Sequence, residues 1–269
     1  MPELPEVQTV LDGVTEYLKD KEIRGLDCFY PGTVVKDPEL AKNPFPARLN
    51  GHERRGKYMI LHLSGETSLI IHLRMTGKLV QDEAMQGKSP HERACFLLSG
   101  GKKLHFIDIR TFGKIVLCKT ANLGKFMPDL GIEPLSAGFT GANLARLFAR
   151  RKTPVKNILM DQSKIAGLGN IYVCEALHRA GIRPDKPAGQ LSRAAIARLV
   201  PAIRAVLAES IAAGGSTIRD YAQPSGELGY FAASWAVYGR EGDACACGGK
   251  VERFVQGGRS TFWCRGCQR

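Results

Sequence analysis

The sequence predicts an α+β chain: an N-terminal helix flanking a β-sandwich or flattened barrel, then a helical part, then a small β-hairpin clamped by cysteines. Three observations carry this. Residues 21–119 are short apolar, β-favouring runs broken by glycine and polar turns. Past a segment at 127–138 marked by Pro128, Gly131, Pro134 and Gly138, the apolar spacing becomes helical. Four of the eight cysteines lie between positions 245 and 267.

The elements follow in order. Val7, Val10, Leu11, Val14 and Leu18 form one helical stripe, and Pro5 suits the entrance of that helix. Candidate strands span 23–30, 47–55, 58–63, 68–73, 94–98, 104–109 and 114–118, with hairpin turns at 64–66 and 100–101. The polar, glycine-containing stretch 81–90 reads as a mobile loop. Beyond the linker, helices are expected at 143–151, 154–161, 169–180 and 192–213. Ser192 is a candidate N-cap, and Gly214-Gly215 is a stop. Pro201 lies inside the last stripe and predicts a kink or break there. Gly167 and Gly169 stand before a helix start, where backbone N–H groups can approach a phosphate or simply form an αα turn.

With 44% hydrophobic and 24% charged residues, the chain is long enough at 269 residues to bury the cores of two domains. No apolar run reaches the length of a membrane span, and no secretory pattern opens the chain, so a cytoplasmic protein without membrane attachment is expected. Lysine and arginine number 38 against 26 acids, a net +12. That surplus points to a polyanionic partner, nucleic acid first. Cys28, Cys95, Cys118 and Cys174 have apolar neighbours and read as buried, reduced thiols.

The other four cysteines follow Cys245-x-Cys247-x16-Cys264-x2-Cys267, with strand-like runs at 250–255 and 259–263 between the pairs. Four thiolates at the base of a hairpin suit one structural Zn²⁺, since sulfur ligands in tetrahedral array are its preferred cage. In an extended segment residues i and i+2 point the same way, so Cys245 and Cys247 can serve one ion. So short a hairpin lacks a core of its own, and the metal would supply folding energy. Arg259, just past the hairpin tip, suits contact with a phosphate.

The chain opens Met1-Pro2-Glu3-Leu4-Pro5-Glu6. Removal of Met1 would leave Pro2 as a free secondary amine beside two acids. Such an amine titrates near pH ~8 and can attack a sugar carbon to form an iminium, an electron sink. Taken alone, the six residues read better as a stiff lead-in to a helix than as a nucleophile.

Several stretches together resemble one family. They are the opening PELPEV, Arg55-Gly56-Lys57-Tyr58, the run from Ile71 to Gly77 (IHLRMTG), the run from Asp108 to Gly113 (DIRTFG), and Gly167-Leu168-Gly169-Asn170-Ile171-Tyr172. Gly229-Tyr230-Phe231, Tyr238-Gly239-Arg240 and Arg259-Ser260-Thr261-Phe262 complete the set. In this order they are similar to the bacterial formamidopyrimidine-DNA glycosylases, the Fpg/MutM type of the Fpg/Nei superfamily, nearly end to end. The resemblance implies a catalytic β-sandwich domain at 1–130, a helix-two-turn-helix DNA-binding domain at 131–238 and a zinc finger at 239–269. It implies a base-excision enzyme that removes oxidised purines, 8-oxoguanine and formamidopyrimidines, from double-stranded DNA and then cuts the strand. A monomer in the bacterial cytoplasm, associated with the nucleoid, is expected.

By residue match, Pro2 would be the nucleophile, Glu3 would move protons at the sugar, and Lys57 and Arg259 would bind phosphate around the lesion. Met75, Arg110 and Phe112 would fill the gap left by the extruded nucleotide, since flipping leaves an unstacked hole. His72, His91 and Asn170 would contact the DNA backbone. Glu6 would lie next to the sugar and base, with Tyr230 as a second substrate contact, and 216–231 would close over the flipped base. Cys245, Cys247, Cys264 and Cys267 would hold the zinc. The family usually has Cys-x2-Cys where this chain has Cys245-x-Cys247, and often a second arginine where it has Thr111. Neighbouring readings are an endonuclease VIII-like enzyme for oxidised pyrimidines and a non-catalytic damaged-DNA binder. Leu4 and the Met75/Arg110/Phe112 set favour the purine-directed branch.

Overall fold

The structure, a computed structural model, describes residues 1–85, 87, 89–216, 224 and 231–269. The chain forms two compact units. One comprises Met1–Pro128 with Ala213–Ala232, the other Asp129–Ala212 with Ala233–Arg269.

The first unit opens with α1 (Leu4–Leu18), whose buried face carries Leu4, Val7, Val10, Leu11, Val14 and Leu18. Nine strands follow: β1 (Glu22–Cys28), β2 (Val34–Lys36), β3 (Ala47–Arg55), β4 (Tyr58–Leu63), β5 (Thr67–His72), β6 (Lys78–Gln81), β7 (Glu92–Leu98), β8 (Lys103–Ile107) and β9 (Lys114–Lys119). They pair in the order β2-β9-β5-β4-β3-β1-β7-β8-β6, antiparallel except for β2 beside β9. Among the described residues, the two halves of this order are joined only where Glu22 and Ile23 of β1 meet Arg48 and Ala47 of β3. One core includes Met59, Leu61, Leu69 and Ile71 from one half and Leu79, Phe96, Leu104 and Phe106 from the other, with the apolar face of α1. That makes a sandwich, and the strand order does not close into a barrel.

Sequence periodicity missed β2 and β6. Strands of three and four residues have too few positions to display a period of two. The glycine turns hold: in the three-residue turn 64–66, Gly65 (φ 76°) and Glu66 (φ 56°) are both left-handed. The polar stretch after β6 begins with a 3₁₀ turn, Asp82–Ala84. Its Glu83 is fastened to Lys102 (2.7 Å) and to the Tyr17 hydroxyl (3.0 Å), and Gln86 and Lys88 lie outside the described residues. Cys95, Cys118 and Cys174 are buried as expected, but Cys28 is exposed. It ends β1 in register with Ala94 of β7, and its thiol reaches the Tyr30 carbonyl.

The second unit holds α3 (Gly141–Phe148), α4 (Val155–Met160), α5 (Asn170–Ala180) and α6 (Arg193–Ala212); α2 (Leu123–Phe126) precedes it in the first unit. Thr140 caps α3 by accepting from the Asn143 N–H, and Gly181 ends α5 with a left-handed φ of 69°. Of the kink or break expected at Pro201, the break does not occur: α6 runs through it. Ala197, whose carbonyl loses its donor, and Pro201 both lie on the exposed side. Burial of Leu199, Ile203, Val206 and Leu207 holds the turns around them. The chain ends in the hairpin β10 (Val251–Gln256) and β11 (Arg259–Cys264), turned by Gly257 and Gly258. No helix among the described residues is long and apolar enough to cross a membrane.

Candidate functional site

Pro2 is half-buried immediately ahead of α1, and Met1 is exposed. Glu3 and Glu6 form a reciprocal capping box: the Glu3 side chain faces the Glu6 N–H, and Glu6 Oε2 accepts from the Glu3 N–H at 2.9 Å. Both are nearly inaccessible, at 4% and 2% relative exposure. The other Glu6 oxygen accepts from the Ser216 N–H at 2.9 Å. Phe231 N–H donates to the Gly215 carbonyl, so both ends of the segment expected to close over a base are tied near Glu6. Tyr230 and most of 216–231 lie outside the described residues. A helix start also carries partial positive charge, which suits carboxylates there.

Lys57 occupies the two-residue turn between β3 and β4, after Gly56 with its left-handed φ of 57°. At 6% exposure the side chain is buried. Arg54 pins this turn to the first helix, donating through Nη1 to the Gly56 carbonyl and through Nε to Gln8 Oε1, both at 3.0 Å. His72, at the end of β5, packs edge-on against Tyr58 with ring centroids 4.4 Å apart. Its Nδ1 accepts from the Arg74 N–H at 2.9 Å, which places the proton of the neutral ring on Nε2.

Burial, then the charges of Arg74 and Lys57, press the His72 pKa down to about 3. His72 is therefore a neutral donor at physiological pH. Its folded-state pKa lies below the unfolded one, so the stabilisation it gives is complete above pH ~6.5. It drains away as pH falls toward the folded value. Wild type should lose on the order of 4 kcal/mol relative to His72→Gln across that window. Urea unfolding of both proteins at pH 7 and pH 4 checks it; parallel losses would contradict it.

Met75 and the Arg110–Phe112 pair sit on two turns, 73–77 and 108–113. Phe112 is 51% exposed with the Arg110 guanidinium 5.0 Å from its ring centre, while Met75 is half-buried. Asp108, 1% exposed, accepts from the Thr76 hydroxyl, from the Arg110 N–H (3.2 Å) and from the Gly113 N–H (2.7 Å). The His91 carbonyl accepts from the Asp108 N–H at 2.9 Å. His91 Nδ1 lies 3.2 Å from Arg93, whose Nε donates to the Asp108 carbonyl.

In the second unit, Asn170 opens α5 and donates through Nδ2 to the Ser260 carbonyl at 2.8 Å. Its buried Oδ1 has no partner among the described residues. A phosphate contact would use the second N–H of Nδ2, because an amide oxygen cannot donate. Gln162 braces the preceding glycine turn, accepting from Gly167 N–H (2.9 Å) and donating to the Leu168 carbonyl (2.7 Å). Arg259 is exposed and pairs in register with Gln256 across the tip of the hairpin. Lys156, fully buried, donates to Thr261 Oγ1 at 2.6 Å and fastens the hairpin to α4.

The four C-terminal cysteines converge. Their sulfurs all lie within 4.8 Å of one another, with Cys245–Cys267 and Cys247–Cys264 each at 3.5 Å. A tetrahedron of sulfurs about 2.3 Å from a central Zn²⁺ has edges of about 3.8 Å, so the set suits one such ion. Convergence comes from a β-turn rather than an extended segment: the Gly248 N–H bonds back to the Cys245 carbonyl, and Gly248 is left-handed at 85°. A Cβ on Gly266 would come within 2.9 Å of the Cys247 sulfur. The Gly249 N–H, then the neighbouring thiols, bring Cys247 down to about 7, whereas burial raises Cys264 and the Cys247 thiol raises Cys267. His178 Nε2 lies 3.4 Å from the Cys245 sulfur.

Residues 1–115 match the model for the formamidopyrimidine-DNA glycosylase N-terminal domain, and residues 130–222 match that family's H2TH domain. Two proteins named formamidopyrimidine-DNA glycosylase, from Novosphingobium aromaticivorans and Sphingopyxis alaskensis, are 48% and 47% identical over the whole of both chains. The chain belongs to the formamidopyrimidine-DNA glycosylase family. Among solved structures, the MutM (Fpg) protein of Thermus thermophilus superposes with a TM-score of 0.88 at 38% identity, covering 99% of this chain and 98% of that one. A Lactococcus lactis FPG mutant in complex with DNA containing Fapy-dG gives 0.91 at 31% identity, covering 100% of both.

Within this member of the formamidopyrimidine-DNA glycosylase family, sequence reasoning assigned no role to Thr76, Asp108 or Lys156, nor to Glu175. Glu175 accepts from three backbone N–H groups at 236–238 (2.8–3.0 Å) and so holds the chain leading into the hairpin. Lys156 carried one signal, a lone cation inside the apolar α4. Glu92, Cys95 and His105 form a second group of possible metal ligands. Both His105 nitrogens already face carboxylates, Glu92 at 2.6 Å and Asp82 at 3.2 Å, and burial lifts the Cys95 thiol to about 12. That group is an internal charge network.

Proposed function

We infer that this chain is a DNA glycosylase and abasic-site lyase that removes oxidised purines, 8-oxoguanine and formamidopyrimidines, from duplex DNA. One observation carries the reading beyond family membership. Pro2 stands directly before a capped helix start, with two buried carboxylates on that turn. Once Met1 is removed, the Pro2 nitrogen attacks C1′ and the base leaves with the bonding pair and a proton. The sugar ring opens, O4′ takes a proton, and the C1′–nitrogen bond becomes an iminium. That cation acidifies the C2′ hydrogen. Its loss expels the 3′ phosphate, and a second elimination expels the 5′ phosphate. Glu3 moves protons at the sugar in this reading, a role supported by its carboxyl at the helix start next to Pro2. Water regenerates the free amine.

Lys57, Arg259, His72, His91 and Asn170 hold the DNA backbone in this reading, and Met75, Arg110 and Phe112 fill the vacated stack. Glu6 and Tyr230 contact the substrate. Cys245, Cys247, Cys264 and Cys267 hold one Zn²⁺, which supplies folding energy and takes no part in the chemistry, because four thiolates leave it no open position. The working form is a monomer in the bacterial cytoplasm, built from a catalytic domain (1–130), a helix-two-turn-helix domain (131–238) and a zinc finger (239–269).

The test is borohydride trapping on a duplex with 8-oxoguanine opposite cytosine, with the N-terminus of the same sample read by mass spectrometry. A covalent adduct at Pro2 is expected. No adduct, or faster cleavage of a thymine glycol duplex, would overturn the purine-directed reading. Lys57→Ala and Arg259→Ala should each weaken DNA binding and reduce its dependence on log salt by about one phosphate contact. Unchanged slopes in titrations at several salt concentrations would remove both residues from the phosphate-binding set.

A further inference from the structure

The turns bearing Met75 and the Arg110–Phe112 pair are distant in sequence yet share one buried bond network. The Asp108 carboxylate spans its own turn, accepting from the Arg110 and Gly113 N–H groups, and reaches the other turn through the Thr76 hydroxyl. Thr76 Oγ1 in turn accepts from the Arg110 N–H at 3.0 Å. One hydroxyl and one carboxylate thus hold both turns. The backbone they hold is unfavourable by itself: Arg74 (φ 55°) and Thr111 (φ 60°) are both left-handed without being glycine. Both turns are also tight. A Cβ on Gly77 would lie 2.5 Å from the Leu73 carbonyl oxygen of its own turn, and one on Gly113 would lie 2.5 Å from the Phe106 ring. The Asp108 backbone extends the network to His91 and Arg93.

We propose that Asp108 is a positioning residue for base extrusion, and that Thr76 couples the two turns so that Met75, Arg110 and Phe112 are set as one unit. This rests on the reading that the chain excises oxidised purines from duplex DNA. Side chains that enter a base stack must project in a fixed direction before they meet it, because a wedge free to rotate loses that orientation on insertion. Neither Asp108 nor Thr76 touches substrate in this account; each acts through the backbone of the residues that do.

Thr76→Val keeps the shape and removes the hydroxyl, and Thr76→Ser restores it. Thr76→Val should slow single-turnover release of 8-oxoguanine from a duplex about tenfold, the factor expected from losing a buried hydrogen-bond bridge. It should also diminish the fluorescence rise of a 2-aminopurine placed beside the lesion. Cleavage of a preformed abasic site in single-stranded DNA, where nothing need be extruded, should fall less than about threefold. Thr76→Ser should recover both duplex signals. Asp108→Asn should give the same split, and carries the comparison should Thr76→Val not fold. Equal loss on the duplex and the single strand would overturn the proposal, as would a wild-type 2-aminopurine signal in both variants. Wild-type protein that releases no 8-oxoguanine would remove the functional reading and this proposal together, whereas active wild type with indifferent variants would remove this proposal alone.

Discussion

An N-terminally extended chain, in which Pro2 is acylated, should lose base excision and borohydride trapping by at least about a thousandfold. The reason is chemical before it is structural. A proline nitrogen in a peptide bond is a tertiary amide whose lone pair is delocalised into the carbonyl, and it cannot attack C1′. The extension carries a terminal amine of its own, but even Met1 places that amine one residue farther out, about 3.8 Å between Cα atoms. A displacement of about 1 Å can already cost a hundredfold in a positioned reaction. Met1 is exposed, so the bond to be cleaved is accessible, while Glu3 and Glu6 keep their places through the capping box. Adduct yield should follow the fraction of chains beginning at Pro2, measured by intact mass on the same preparation. Equal trapping by extended and processed chains would exclude Pro2 as the nucleophile.

Stripping metal from the four-cysteine site should melt the C-terminal hairpin and lower DNA affinity at least about a hundredfold. Structural zinc contributes on the order of 10 kcal/mol of folding energy in finger-sized elements. The hairpin's own core is small: Val251 and Phe262 packed with Cys174 and Val237. Yet it is fastened elsewhere, by Lys156 to Thr261, by Asn170 to Ser260, and by Gln268 to the Cys264 N–H and the Ile182 carbonyl. Melting it would therefore displace Arg259 and also free the start of α5. One metal per chain in the native protein, and loss of hairpin amide protection in hydrogen exchange after chelation, are the expected results. The first unit should keep its protection, because its core shares no residue with the site. Chelated, metal-free protein with intact hairpin protection and affinity would mean that these cysteines do not depend on a metal.

Much of this was legible in the chain. The α1 stripe, the strands β3 and β4, the glycine turns and the clustered cysteines are local patterns, and local backbone preference decides them. Several candidate site residues were legible as motifs beside a turn or helix start with a demanding backbone, such as Gly56 before Lys57 or Gly167 before Asn170. Three details departed from the sequence reading. Cys28 is exposed although it pairs in register with Ala94, α6 is not broken at Pro201 because packing on its other face outweighs one missing hydrogen bond, and Cys245 and Cys247 converge by a local turn at Gly248 rather than in an extended segment.

The amino-acid sequence by itself determined the element types, the N-terminal amine with its two acids, and the sulfur ligand set, because each depends on residue identity and short spacing. Only the tertiary structure decided how these groups behave. The neutral state of His72 follows from burial beside Arg74 and Lys57. The union of turns 73–77 and 108–113 follows from one carboxylate reaching a hydroxyl 32 positions away. The buried Lys156 is accounted for by Thr261, 105 positions away. Desolvation and long-range hydrogen bonds depend on what surrounds a residue, and those surroundings exist only once the chain has folded.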